Sequence, residues 1–122
     1  MSVIFVSHPF ASDPVRHARR VAGIARELAL AGHLPLTPQL YLPAFIDEVT
    51  ERDLALRLCM RLVALSDEVR VYGEPSEGMR LEIAEARRLG ITVVASDDDG
   101  ASALTGQPPP MRTRGRLKGG ST

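Results

Sequence analysis

Tryptophan is absent, lysine occurs once (Lys118) and cysteine once (Cys59) in the 122 residues. Phe5, Phe10, Phe45, Tyr41 and Tyr72 are all the aromatic side chains. A single cysteine excludes an intrachain disulfide, and with it the small secreted disulfide scaffolds. One Cys among scattered His has no metal-ligand spacing, and neither a dinucleotide fingerprint nor a P-loop is present. No metal or cofactor is therefore expected. No apolar run approaches the roughly 20 residues of a membrane helix, since Arg26 and Glu27 interrupt the most apolar stretch. The first residues, MSVIFVSHP, lack the basic start and long apolar centre of a signal peptide. These absences leave a soluble, cytoplasmic protein of one domain whose core is aliphatic.

Charge is balanced, with 15 basic and 15 acidic side chains. The balance is a cancellation between two unlike parts. Beyond Gly100 stand Arg112, Arg114, Arg116 and Lys118 with no acid, so the preceding body is acidic. From Asp97 onward the chain has Asp97-Asp98-Asp99-Gly100, Pro108-Pro109-Pro110 and Gly119-Gly120 but no apolar periodicity. Residues 1–96 are thus expected to form the domain and 97–122 a disordered basic tail. The tail could touch nucleic acid or an acidic partner, or simply be a solvated extension.

Within the body, strand-like and helix-like patterns alternate. Val3-Ile4-Phe5-Val6 is a short β-branched and aromatic run ended by Ser7-His8-Pro9. Asp13-Pro14 then reads as cap and first residue of a helix whose apolar stripe is Ala18, Val21, Ala22, Ala25, Leu28 and Ala29, with Gly32 as its stop. Leu34-Pro35-Leu36-Thr37 reads as an edge strand, because its proline cannot donate to a neighbour. A helix is expected over 50–65 with Leu54, Leu58, Leu62 and Leu65 on one face. Glu68-Val69-Arg70-Val71-Tyr72 is a third strand, Ser76 caps a third helix reaching Gly90, and Ile91-Thr92-Val93-Val94 is a fourth strand. Such alternation implies parallel pairing through right-handed crossovers. The expected fold is a small doubly wound α/β domain, Rossmann- or flavodoxin-like, with about four parallel strands and helices on both faces.

In an open parallel sheet, ligands bind beyond the carboxyl ends of the strands. That selects Ser7 to Asp13, Pro38 to Tyr41, Gly73 to Gly78 and whatever follows the fourth strand. Gly78 falls in the first turn of the third helix, where it lets a phosphate or hydroxyl approach the free backbone N–H groups. A plain capped helix start is the alternative. Glu82 is more informative, because the inward stripe of that helix reads Met79, Glu82, Ile83, Ala86. A carboxylate facing inward is costly unless it is paired, and near the strand ends it could serve as nucleophile or base. The alternative is a Glu82 swung aside to Arg80, Arg87 or a backbone donor. His8 at the end of the first strand is well placed to contact a base, whereas His17 and His33 read as helix-surface and loop residues. Asp67 lies between a helix and the start of a strand, at the end of the sheet opposite the crevice, and on position alone reads as a turn residue.

In order and spacing, four segments resemble the nucleoside 2-deoxyribosyltransferase-like superfamily: Val3-Ile4-Phe5-Val6-Ser7-His8-Pro9-Phe10, Gly32-His33-Leu34-Pro35-Leu36-Thr37-Pro38, Ser66-Asp67-Glu68-Val69-Arg70-Val71-Tyr72-Gly73 and Ser76-Glu77-Gly78-Met79-Arg80-Leu81-Glu82-Ile83. The resemblance spans roughly residues 3 to 95, the whole proposed domain. It implies cleavage of an N-glycosidic bond, with Glu82 as the catalytic nucleophile that captures the anomeric carbon from an oxocarbenium-like transition state. It implies that Asp67 assists the leaving base, against its place in the strand order. It also implies that Gly73, Ser76, Gly78 and Met79 belong to the loop that holds sugar or 5′-phosphate, and that His8, Phe10 and Tyr41 line the base pocket. The transferases carry an Asp ahead of the nucleophile where Pro75-Ser76-Glu77 stands here, which favours a nucleotide over a free nucleoside. Arg80 is the nearest cation in the motif. The resemblance further implies a homodimer or larger, with a nucleoside or nucleotide as ligand. A non-catalytic nucleotide-binding or sensor domain of the same fold is the alternative, and a purely structural interaction domain a third.

Overall fold

A computed structural model describes residues 1–96; the proposed tail at 97–122 lies outside the described residues. The elements run in chain order as β1 (Val3–Ser7), α1 (Pro14–Leu30), β2 (Leu34–Leu36), α2 (Arg52–Ala64), β3 (Glu68–Tyr72), α3 (Glu77–Arg88) and β4 (Thr92–Ser96). Two single 3-10 turns, Pro38–Leu40 and Leu42–Ala44, lie between β2 and α2. All strands are parallel, in the order β2-β1-β3-β4. The doubly wound α/β fold expected from the sequence is therefore the fold observed.

Alternation along the two central strands assigns each helix to a face. Ile4, Val6 and Tyr72 point one way and meet Val21, Ile24 and Leu28 of α1. Phe5, Val69 and Val71 point the other way and meet Val63 of α2 with Met79 and Ala86 of α3. Leu42, Ile46 and Ala55 form a smaller cluster under the 3-10 turns, with Leu54, Leu58 and Cys59 packed against it. The short β2, with Pro35 at its centre, is an edge strand as expected.

Helix starts follow local chemistry. Asp13 accepts a hydrogen bond from the Arg16 N–H, and Pro14 supplies a preset backbone where no donor is needed. Ser76 accepts from the Met79 N–H at 3.3 Å, while the Met79 thioether accepts from the Ser76 N–H at 3.3 Å. That reciprocal cap has sulfur in the place usually taken by a carboxylate. Ahead of α2, Asp47 accepts from the Val49 and Thr50 N–H groups, which makes a turn there. The helix consequently begins at Arg52 rather than Thr50.

Two apolar stripes differ from their expected composition. On α1, Ala22 and Ala29 are exposed and Ile24 is buried, so the inward line is Val21, Ile24 and Leu28. On α2, Leu65 is the exposed C-terminal cap, and Ala55 and Val63 supply the buried contacts. Both differences are shifts of helical phase by one residue, which alanine-rich and leucine-rich runs leave poorly specified. Phe5 is fully buried on a central strand between two helices. Its replacement by alanine is expected to cost about 3–5 kcal/mol, read as a lowered urea midpoint with unchanged slope.

Candidate functional site

The chain winds from β1 outward to β2 and from β3 outward to β4 in opposite directions. Between the carboxyl ends of β1 and β3 the loops must diverge, and an open crevice results. A cavity of about 400 Å³ lies there. Its wall includes His8, Phe10, Ser76, Gly78, Met79 and Glu82, six of the residues singled out from the sequence.

Glu82 reaches this wall from the inward stripe of α3. Ser7, fully buried at the end of β1, donates its hydroxyl to Glu82 Oε1 at 2.8 Å. The Cys59 thiol of α2 lies on the same wall as a second donor towards this carboxylate. Burial raises the Glu82 carboxyl from the ordinary 4.5 to about 7, against the two donors, which favour the charged form. Burial, then the Glu82 and Glu48 charges, push the Cys59 thiol up to about 12. That thiol is a hydrogen-bond donor, not a nucleophile. Near neutral pH, Glu82 can act as base, acid or nucleophile from one position.

The amino end of α3 forms the facing rim. The cap between Ser76 and Met79 satisfies two N–H groups and leaves those of Glu77 and Gly78 without intrahelical acceptors. Arg52, the first residue of α2, lies over this rim: a Cβ on Gly78 would stand 3.6 Å from its Nη2. Arg52 also lines the cavity, whereas the exposed Arg80 does not. The cation of the site thus comes from a different helix than the motif suggested. Sequence patterning held no signal for it, because the contact joins α2 to α3 across 26 positions. Gln39, in the segment Pro38 to Tyr41 selected by strand order, donates its amide to the Val6 carbonyl at 3.0 Å and closes the wall beside β1.

His8 is buried, with Nδ1 donating to the Pro9 carbonyl at 2.7 Å. His17 is not a helix-surface residue. It is half-buried, packs edge-on against His8 with ring centroids 5.2 Å apart, and meets the Ser12 hydroxyl.

Three expected site residues lie outside the cavity wall. Asp67 sits at the amino ends of the strands, where its carboxylate accepts from the Val3 N–H at 2.7 Å and its N–H donates to the Val3 carbonyl at 2.7 Å. About 15 Å of strand separates that end of the sheet from the crevice. Its role is to tie β3 to β1, in line with its position and against the role implied by resemblance. Tyr41 is exposed and stacks on Phe45, with centroids 6.1 Å apart, on the outside of the loop whose Gln39 and Leu42 face the cavity. Gly73 turns the chain out of β3 at φ +71°, a conformation that side chains rarely adopt. It shapes the loop under Pro9.

Residues 2–96 match the profile of the family described as a domain of unknown function, DUF7768. The chain belongs to the DUF7768 family. No curated protein matches it. Among the described residues of this DUF7768 domain, no group of His, Cys, Asp and Glu could hold a metal ion, and no helix is long and apolar enough to cross a membrane.

The raised carboxyl couples stability to pH. Below pH 4.5, Glu82 is protonated in folded and unfolded chains alike. Between 4.5 and about 7 only the unfolded chain ionises, so stability falls as pH rises, by roughly 3 kcal/mol in all. Denaturant titrations across this range should show that decline in the wild type and lack it in Glu82→Gln. Asp67→Ala should lower the urea midpoint while leaving ligand binding in the cavity unchanged.

Proposed function

We propose that this DUF7768 domain cleaves or transfers at the N-glycosidic bond of a nucleoside or nucleoside 5′-monophosphate, with Glu82 as nucleophile. The observation that carries the reading is a carboxylate drawn from an inward helical stripe, held by Ser7, in the wall of a cavity at the topological switch point. The ionised carboxylate attacks the anomeric carbon, the C–N bond breaks with its electron pair leaving on the base, and the base takes a proton from solvent. The resulting glycosyl ester is released to water or to a second base. A low-dielectric wall strengthens the attraction between the carboxylate and an oxocarbenium-like transition state.

Arg52 and the free N–H groups of Glu77 and Gly78 favour the monophosphate, since together they present a cation and two donors to an anion. One feature favours binding without cleavage: burial raises the Glu82 carboxyl to about 7, so it keeps its proton closer to neutrality than an exposed carboxylate does, and the protonated form is not nucleophilic. The resemblance also carries the expectation of a homodimer or larger, which sedimentation of the full chain tests.

Incubation of the full chain with a panel of nucleosides and monophosphates, followed by chromatography, should reveal free base. Glu82→Gln should abolish its release, and kcat/KM should rise with pH through about 7 as the carboxylate ionises. Arg52→Ala should raise KM roughly tenfold for the monophosphate and little for the nucleoside. Saturable binding with no release from any member of the panel would establish the non-catalytic reading instead.

A further inference from the structure

Glu82 is met from two directions by donors on other elements. Ser7 comes from the last position of β1, where alternation with Val3 and Phe5 turns it towards α2 and α3. A fully buried serine hydroxyl at that position needs a partner, and Glu82 Oε1 is the one it has, at 2.8 Å. Cys59 comes from α2, where it packs against both the sheet cluster and the cluster under the 3-10 turns. Neither side chain carries charge, and neither is suited to attack a substrate. Both can offer a proton to a carboxylate oxygen without bringing water with them.

The charged and titratable groups sharing the wall are His8 after β1, Glu48 ahead of α2, Arg52 at its start, and Glu77 in the first turn of α3. Burial and the two donors govern Glu82, and none of these four groups does. An alanine in place of either donor would leave the carboxylate desolvated and less satisfied, which disfavours its charged form.

We propose, taking Glu82 as the reacting group argued above, that Ser7 and Cys59 are its positioning residues: as donors from β1 and α2 they hold the carboxylate at the cavity wall and favour its charged form. The Ser7 bond fixes Oε1 on the strand side, so that attack proceeds through the lone pairs left over. The Cys59 donor ties the same carboxylate to α2, the helix whose first residue is Arg52. One three-element contact thereby relates the reacting group to the cation at the rim.

The test reads Glu82 directly in the ligand-free full chain. Its isotope-labelled side-chain carboxyl resonance is assigned by loss in Glu82→Gln and followed through a pH titration. Ser7→Ala should move the midpoint upward by about one unit, the size expected for a lost hydrogen bond to a charged group. Cys59→Ala should move it upward as well, and Cys59→Ser, which keeps a donor at that site, should bring it back. Should Ser7→Ala fail to fold, the two Cys59 variants carry the same comparison. Unchanged midpoints in folded Ser7→Ala and Cys59→Ala, or in folded Cys59→Ala where Ser7→Ala does not fold, would overturn the proposal, as would failure of Cys59→Ser to restore the wild-type value. Because this measurement needs no substrate, absence of base release would remove the glycosidase reading without touching it. Where base is released, the acidic limb of kcat/KM should shift with the midpoint, a displacement that a merely structural role would not produce.

Discussion

Because β1 and β3 lie side by side at the centre of a wholly parallel sheet, with β2 outside the one and β4 outside the other, the crossovers that leave them run in opposite directions. The first runs outward to β2 through α1 on one face, and the last runs outward to β4 through α3 on the other. The loops that follow the two central strands part at the same end of the sheet. The crevice is therefore a property of strand order and needs no specialised insertion. The cavity of about 400 Å³ lies where the loops part.

What fills the crevice wall is decided by helix phase. On α3, Met79, Ile83 and Ala86 belong to the sheet contact, and Glu82 takes a neighbouring place on the same stripe. Burial opposes its charge, while a hydroxyl and a thiol support it. The opposing effects leave the group close to its titration point at neutral pH, where proton transfer and nucleophilic attack are both within reach. The acidic body of the protein does not contradict an anionic ligand, since the facing rim offers backbone donors and one guanidinium.

The strands, helices and parallel pairing were legible in the sequence because each rests on short-range patterning: β-branched runs, capping residues and stops at glycine. Glu82 was legible for the same reason, as a carboxylate on a stripe that periodicity assigns inward. Ala22, Ala29 and Leu65 misled because runs of alanine and leucine tolerate a phase shift of one residue. Arg52 and Cys59 were not legible as site residues. Both sit on α2, and only the packing of α2 beside α3 brings them to the cavity. Asp67 shows position prevailing over resemblance: its place before β3 puts it at the amino ends of the strands, where it serves the backbone of Val3.

The cap between Ser76 and Met79 has a mechanical consequence. Met79 is 3% exposed and belongs to the main core cluster, yet its sulfur accepts from the backbone of the rim. The α3 side of the cavity cannot swing outward without drawing a core side chain with it. The opposite side, residues 38–51, rests on a small cluster and exposes Tyr41, Phe45 and Val49. The two sides of the cavity are thus anchored unequally, one tied into the main core through Met79 and the other resting on a small cluster, so the second has the fewer buried contacts to hold it.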